Sequence, residues 1–176
     1  MSLGRRILRA LLLVAVISII VLVAADYELH PLPSDAQADR IVVEKSARKL
    51  TLFRGTTPLK SYSVALGRAP DGRKEREGDQ RTPEGQYLID AHKYDSAFHR
   101  ALRISYPSAA DSAAAAQRGV TPGGDIMIHG LRNGFGWLGA FHRCLDWTAG
   151  CIAVTDKEIE EIYRAVQDGT PIEIRP

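Results

Sequence analysis

The chain has two thiols, Cys144 and Cys151, and both follow a glycine-rich stretch that opens at His129. Cys151 stands in Thr148-Ala149-Gly150-Cys151-Ile152-Ala153-Val154, where a glycine precedes the cysteine and a β-type apolar run follows it. A thiol on such a turn is reachable while its neighbours are fixed by packing, and successive backbone N–H groups there can point at a developing oxyanion. With an ordinary pKa of about 8.5, a thiol is only slightly ionised at neutral pH, so it needs a base to act as a nucleophile. His129 supplies one. It closes Asp125-Ile126-Met127-Ile128-His129-Gly130, the end of an apolar strand, where an imidazole can face a cleft, take the thiol proton and return it to a leaving amine. A lone histidine in that position would be a hydrogen-bonded core residue; the Gly-Cys turn and the tryptophan-bearing segment between them favour the base.

Other residues nearby are lesser candidates. Phe135 and Trp137 form either a mobile cover over the thiol or an aromatic pair that pins a flexible loop. Arg132 and Asn133 could hold peptide carboxylates, Trp147 and Thr148 could touch substrate beside the cysteine, and His142 is either a second base or a structural histidine. Two rivals leave the thiols out of catalysis. One is a structural Cys144–Cys151 disulfide in a non-catalytic envelope domain. The other is a zinc site from His129, His142, Cys144 and Cys151, for which the His-x-Cys spacing is tighter than usual.

The elements that must position these residues are mostly strands. Residues 41–45, 49–54 and 59–66 are short β-branched or alternating runs, with a Gly-Thr-Thr-Pro turn after the second; residues 84–90 and 101–106 read likewise. Between them, residues 67–83 are rich in glycine and in charges of both signs, which fits a solvated loop or one wall of a groove for a charged ligand. Residues 108–119 contain six alanines and predict a short helix. Residues 155–166 predict a second: Thr155 and Glu158 match a capping box, and Ile159, Ile162, Tyr163 and Val166 make one apolar stripe. Residues 171–174 give a last strand. The fold class is mainly β with a C-terminal helix and one shorter helix, in a single domain over residues 40–176.

Ahead of it, residues 10–25 contain Ser18 as their one polar side chain and follow Arg5, Arg6 and Arg9, the layout of a signal peptide or N-terminal membrane anchor over residues 1–25. Residues 26–39, with Pro31, Pro33, Ser34 and Asp35, read as a linker. Export to the periplasmic side of the cell envelope is the expectation. Setting those three arginines aside leaves 20 basic against 21 acidic residues, a net of −1, so the body lacks the basic footprint of a nucleic-acid binder.

Taken together, Ile128-His129-Gly130 and, about twenty residues on, Asp146-Trp147-Thr148-Ala149-Gly150-Cys151-Ile152-Ala153-Val154-Thr155 resemble the catalytic domain of the L,D-transpeptidase family. Arg81-Thr82-Pro83-Glu84-Gly85 before a core strand, and the terminal helix and strand, extend the resemblance over most of residues 40–176. It implies a β-sandwich-like domain acting on peptidoglycan stem peptides through an acyl-enzyme, with Cys151 as nucleophile and His129 as base. By the same resemblance the Gly130 carbonyl orients the imidazole, the Gly150 and Cys151 N–H groups form the oxyanion hole, and no metal or organic cofactor is needed. The acyl acceptor would be an amine, on a stem peptide or an envelope protein, or water in a hydrolase of the same fold. Two positions depart from the family pattern. Ala149 stands where a histidine is common, and Ala153 where a polar side chain is usual.

Overall fold

The computed structural model describes residues 3–25 and 31–176. Residues 1–2 of the expected leader and 26–30 of the expected linker lie outside the described residues. Helix α1, Leu3–Ala25, leaves its described apolar side chains exposed, Leu11, Ile17 and Ile20 among them. Among the described residues no helix is long and apolar enough to cross a membrane. From residue 31 the chain is bound to the body: the Leu32 N–H donates to Glu161 Oε1 at 2.9 Å, the Ala38 N–H donates to the Ala165 carbonyl at 2.8 Å, and both side chains are buried.

The body is mainly β, as the alternating runs imply. Strands β1 (Arg40–Glu44), β2 (Lys49–Arg54) and β3 (Thr57–Ser63) form an antiparallel meander. The remaining strands are β4 (Gly85–Ser96), β5 (His99–Ile104), β6 (Met127–His129), β7 (Ile152–Ala153) and β8 (Pro171–Arg175). They join one eight-stranded sheet in the order β3-β2-β1-β8-β4-β5-β6-β7. The C-terminal strand β8 enters between β1, parallel, and the start of β4, antiparallel. Strand β4 serves both halves of the sheet, since Gly85–Leu88 pair with β8 and the residues beyond pair with β5. A register shift between Ile89 and Ala91 marks the passage, as an irregularity bends a strand where a sheet must curl.

Helix α2, Ala109–Gln117, begins at Ser108 with a capping box to Asp111, and helix α3, Asp156–Ala165, begins at Thr155 with one to Glu158. Of the predicted stripe of α3, Ile159, Ile162 and Val166 are buried and join a core with Ile41, Leu50, Leu102, Ile128 and Ile174; Tyr163 is only partly buried against it, and Ala165 takes a core place instead. Each such aliphatic side chain contributes roughly 1.5–3 kcal/mol when fully removed from water. Because α3 follows β7 through the Thr155 cap, its packing fixes the strand directly behind Cys151.

Candidate active site

Parallel pairing of β6 with β7 sets Ile128 beside Ile152 and His129 beside Ala153, so Cys151, the residue before β7, falls level with Met127, two residues before His129 on the neighbouring strand. His129 and Cys151 line one open cavity of about 580 Å³, together with Phe98, Asp125, Met127, Trp147, Thr148 and Ala149. The turn that presents the thiol is tied from several directions. Thr148 Oγ1 donates to the Cys151 carbonyl at 2.7 Å and accepts from the Gly150 N–H at 3.1 Å. The Thr148 N–H donates to the Leu66 carbonyl, and Ala153 and Ala65 exchange two backbone hydrogen bonds. Behind the turn stands the Arg81-Thr82-Pro83 step. Gly150 has φ +133°, and a methyl group there would lie 2.7 Å from the Arg81 carbonyl oxygen, so glycine is required. Thr82, fully buried, accepts the Gly67 N–H at 3.1 Å.

His129 is 5% exposed and its ring is fixed by its neighbours. Nδ1 donates to the Gly130 carbonyl at 2.7 Å; because a carbonyl only accepts, that nitrogen carries the proton and the neutral ring keeps its lone pair on Nε2. The Phe98 ring lies 4.6 Å away between centroids and the Trp147 ring 5.7 Å, edge to face. Burial holds the imidazole below its ordinary pKa, against the Gly130 hydrogen bond that pulls it up. For Cys151 burial acts the other way, pushing the thiol up; the Asp125 charge adds to this, and the Met127 N–H and Lys74 oppose it. Both shifts favour the uncharged forms. The resting pair is therefore a thiol and a neutral imidazole, and the Sγ hydrogen faces the Asp125 carbonyl at 3.6 Å.

Of the sequence-predicted residues, Cys151, His129, Trp147 and Thr148 meet in this cavity, with Gly130 and Gly150 beside it. Four others lie elsewhere. Asn133 closes the β4–β5 hairpin, with Oδ1 accepting from the His99 N–H at 2.9 Å and Nδ2 donating to the Ser96 carbonyl at 3.1 Å, and it does not line the thiol cavity. Arg132 and His142 border a second, apolar cavity of about 350 Å³, with Phe135, Phe141 and Cys144. Trp137 sits 68% exposed in the 3-10 segment Gly136–Cys144 and lines neither cavity. The aromatic walls of the thiol cavity are instead Trp147 and Phe98. Gly150 also needs correcting as an oxyanion donor: its N–H is occupied by Thr148, which leaves Cys151 as the remaining candidate of the two.

His142 is structural in its contacts. Its Nδ1 accepts from Trp147 Nε1 at 3.3 Å, and burial, helped by Arg143 and His129, holds its pKa down to about 4. Both cysteines are free, so the disulfide reading is overturned. Among the described residues no three His, Cys, Asp or Glu side chains gather as a metal ion would require, and the four residues of the zinc reading divide between two cavities. Of the charged loop, Arg68 reaches the thiol cavity, while Lys74 and Asp79 are buried against one another at 2.8 Å. Lys93, Asp95 and Phe98 from the β4–β5 hairpin complete the wall. No local sequence signal marks those three, since only the pairing of β5 with β6 brings the hairpin to His129.

The two departures differ in consequence. Ala153 is fully buried within the strand pairing and faces no cavity, whereas Ala149 is exposed on the cavity wall. A small side chain there leaves open space next to the thiol.

These features agree with the relatives of the chain. A family model described as the L,D-transpeptidase catalytic domain, YkuD, matches residues 38–174. YafK of Escherichia coli K12, itself designated only a candidate L,D-transpeptidase, is 32% identical over 110 residues, which make up 61% of this chain and 37% of YafK. The helical cell shape determining protein Pgp2 of Campylobacter jejuni superposes with a TM-score of 0.60 at 25% identity, covering 80% of this chain and 48% of Pgp2. An L,D-transpeptidase from Mycobacterium smegmatis shares the fold, with a TM-score of 0.52 at 15% identity over 79% of this chain and 59% of that one. The chain thus spans less than two thirds of each of these proteins. On the match over residues 38–174, the chain belongs to the L,D-transpeptidase catalytic domain family.

Proposed function

We propose that the protein is a cysteine-dependent L,D-transpeptidase that acts on peptidoglycan stem peptides in the cell envelope, with Cys151 as nucleophile and His129 as general base. The observation that carries this reading is a thiol and a buried imidazole in one open cavity, with Nδ1 held by the Gly130 carbonyl so that the basic lone pair is on Nε2. Rotation about the Cys151 Cα–Cβ bond turns Sγ from the Asp125 carbonyl towards the ring. Nε2 then takes the thiol proton as sulfur attacks the peptide carbonyl carbon, and the Cys151 N–H stabilises the oxyanion. When the C–N bond breaks, the imidazolium returns its proton to the leaving amine and a thioester remains. An amine acceptor loses a proton to the same nitrogen, attacks the thioester and expels the sulfur, which recovers the proton.

Hydrolysis differs only in the second nucleophile, water in place of an amine. Family membership supports the peptidoglycan substrate, and the apolar stretch after Arg5 and Arg6 supports export by the N-terminal segment. Incubating the purified protein with defined muropeptides tests the proposal. Wild type joins, exchanges or trims them, Cys151→Ala does none of these while remaining folded, and His129→Ala loses nearly all activity. The carbapenem imipenem is expected to leave a covalent adduct on Cys151, seen by mass spectrometry of its peptide. Full turnover by Cys151→Ala, or an adduct confined to Cys144, would overturn the assignment.

A further inference from the structure

The peptide group joining Gly130 to Leu131 is hydrogen-bonded at both ends. Its carbonyl accepts from His129 Nδ1 at 2.7 Å, and its N–H donates to Asp156 Oδ1, also at 2.7 Å. Asp156 is the first residue of α3, just after the Thr155 cap, where the helix amides favour a negative charge. Its carboxylate sits against two glycines. A methyl group on Gly130 would lie 2.7 Å from Oδ1, and one on Gly136 would collide with Oδ2. Only glycine at both ends of the 130–136 loop lets the carboxylate come this close.

We propose that Asp156 is a positioning residue for His129, acting through the Gly130–Leu131 peptide group to orient the imidazole and stabilise its protonated form. The inference rests on the reading of His129 as the base. When an amide N–H donates to a carboxylate, its carbonyl oxygen becomes a stronger acceptor, because hydrogen bonds in a chain polarise one another. The Nδ1–H bond to that carbonyl strengthens in turn, most of all once the ring is charged. In the familiar serine protease triad a carboxylate contacts Nδ1 directly; here one peptide unit stands between them. Such support opposes burial, which disfavours the imidazolium.

Other titratable and charged groups surround the site. Cys151, Asp125, Arg68, Lys93 and Asp95 line the cavity, His142 lies beyond Trp147, and His99 packs on Gly130 with its ring paired to Glu160, which also holds Arg100. None of these is hydrogen-bonded to the His129 ring among the described residues, whereas Asp156 reaches it through two short bonds. In the sequence Asp156 looks like any acidic residue in the first turn of a capped helix.

The test is the pH profile of Cys151 alkylation by iodoacetamide, followed on its own peptide by mass spectrometry, in wild type, Asp156→Asn and Asp156→Ala. Asn keeps an oxygen that can accept the Leu131 N–H, so Asp156→Asn should remain folded with a melting midpoint lowered only slightly, by the helix-end charge it loses. Below the thiol's own inflection the reactive thiolate exists only as the minor thiolate–imidazolium pair, so the alkylation rate on that neutral-pH plateau should fall about tenfold in Asp156→Asn, a change of about 1.4 kcal/mol in the pair. Asp156→Ala should show at least that fall, together with a lower midpoint still. A purely structural role would move the midpoint and leave the Asp156→Asn plateau rate in place. The His129 Nδ1 proton is a second readout, expected downfield and slow to exchange in the wild type. A folded Asp156→Asn with an unchanged plateau rate, or a wild-type Nδ1 proton exchanging as fast as that of an exposed imidazole, would overturn the relay. Absence of muropeptide turnover counts instead against the proposed function, since alkylation needs no peptide substrate.

Discussion

Acid should destabilise this domain through His142, and the size of the effect can be worked from its surroundings. The side chain is 8% exposed, its Nδ1 is committed as acceptor to Trp147 Nε1, and its Nε2 is sealed from solvent without a partner. Burial takes its pKa from 6.5 to about 4 in the folded protein. The unfolded chain therefore binds a proton between about pH 6.5 and pH 4 that the folded chain refuses. The contribution of a neutral His142 is fully present above the unfolded pKa; it falls as pH drops through 6.5 and is exhausted below about 4. At about 1.4 kcal/mol per pH unit, the loss between pH 7.5 and pH 4.5 comes to roughly 2.5 kcal/mol. His142→Asn removes the titration while keeping an oxygen that can accept from Trp147. Urea unfolding of both proteins at the two pH values gives the double difference, which cancels the carboxylates common to both. Wild type should lose about 2.5 kcal/mol more than the variant. Equal losses to within a few tenths of a kcal/mol would mean that the imidazole is solvated, and that Trp147 is not anchored as argued.

Two further substitutions probe the support of the nucleophile turn. Gly150→Ala places a methyl group 2.7 Å from the Arg81 carbonyl oxygen at a φ of +133°, and should cost about 2–4 kcal/mol of stability in a urea titration and slow thiol labelling. Lys45, 3% exposed, donates to the Gly72 and Thr82 carbonyls and to Glu84 Oε1 at 2.6, 3.2 and 2.7 Å. Lys45→Ala leaves those groups unpaired next to the Thr82 step and should lower stability by about 3–5 kcal/mol in the same assay, whereas a loss under 1 kcal/mol would show that water replaces the ammonium freely.

Much of the fold is legible in the sequence wherever local pattern and tertiary demand coincide. The α3 helix is an example: Thr155 and Glu158 announce its start, and Ile159 and Ile162 fall on the face the core needs. The strands that carry His129 and Cys151 are readable for the same reason, being apolar on both sides and bounded by glycine. The 3-10 segment is not, because residues 130–145 have neither period, and Gly139, at φ +47°, interrupts whatever helix might form. Asn133 shows why polar loop residues mislead. Its amide has two backbone partners in a hairpin more than thirty residues earlier, and no spacing in the sequence announces that meeting.

The same logic explains why the chemistry concentrates at β6 and β7. A base must be desolvated enough to keep its lone pair at neutral pH, yet a desolvated imidazole is a poor place to leave a charge. Burial between Phe98 and Trp147 meets the first need and aggravates the second. What offsets the penalty has to be a hydrogen-bond acceptor at Nδ1, and the strand end provides the Gly130 carbonyl at no cost in side chains. Because β6 ends there, the next N–H is released from the sheet and turns to the start of α3, the helix that also stands behind β7. One helix N-terminus is thereby linked to both halves of the pair: to the imidazole through Leu131 and Gly130, and to the thiol through the strand that Thr155 closes. A change that loosened the start of α3 should therefore disturb both groups together.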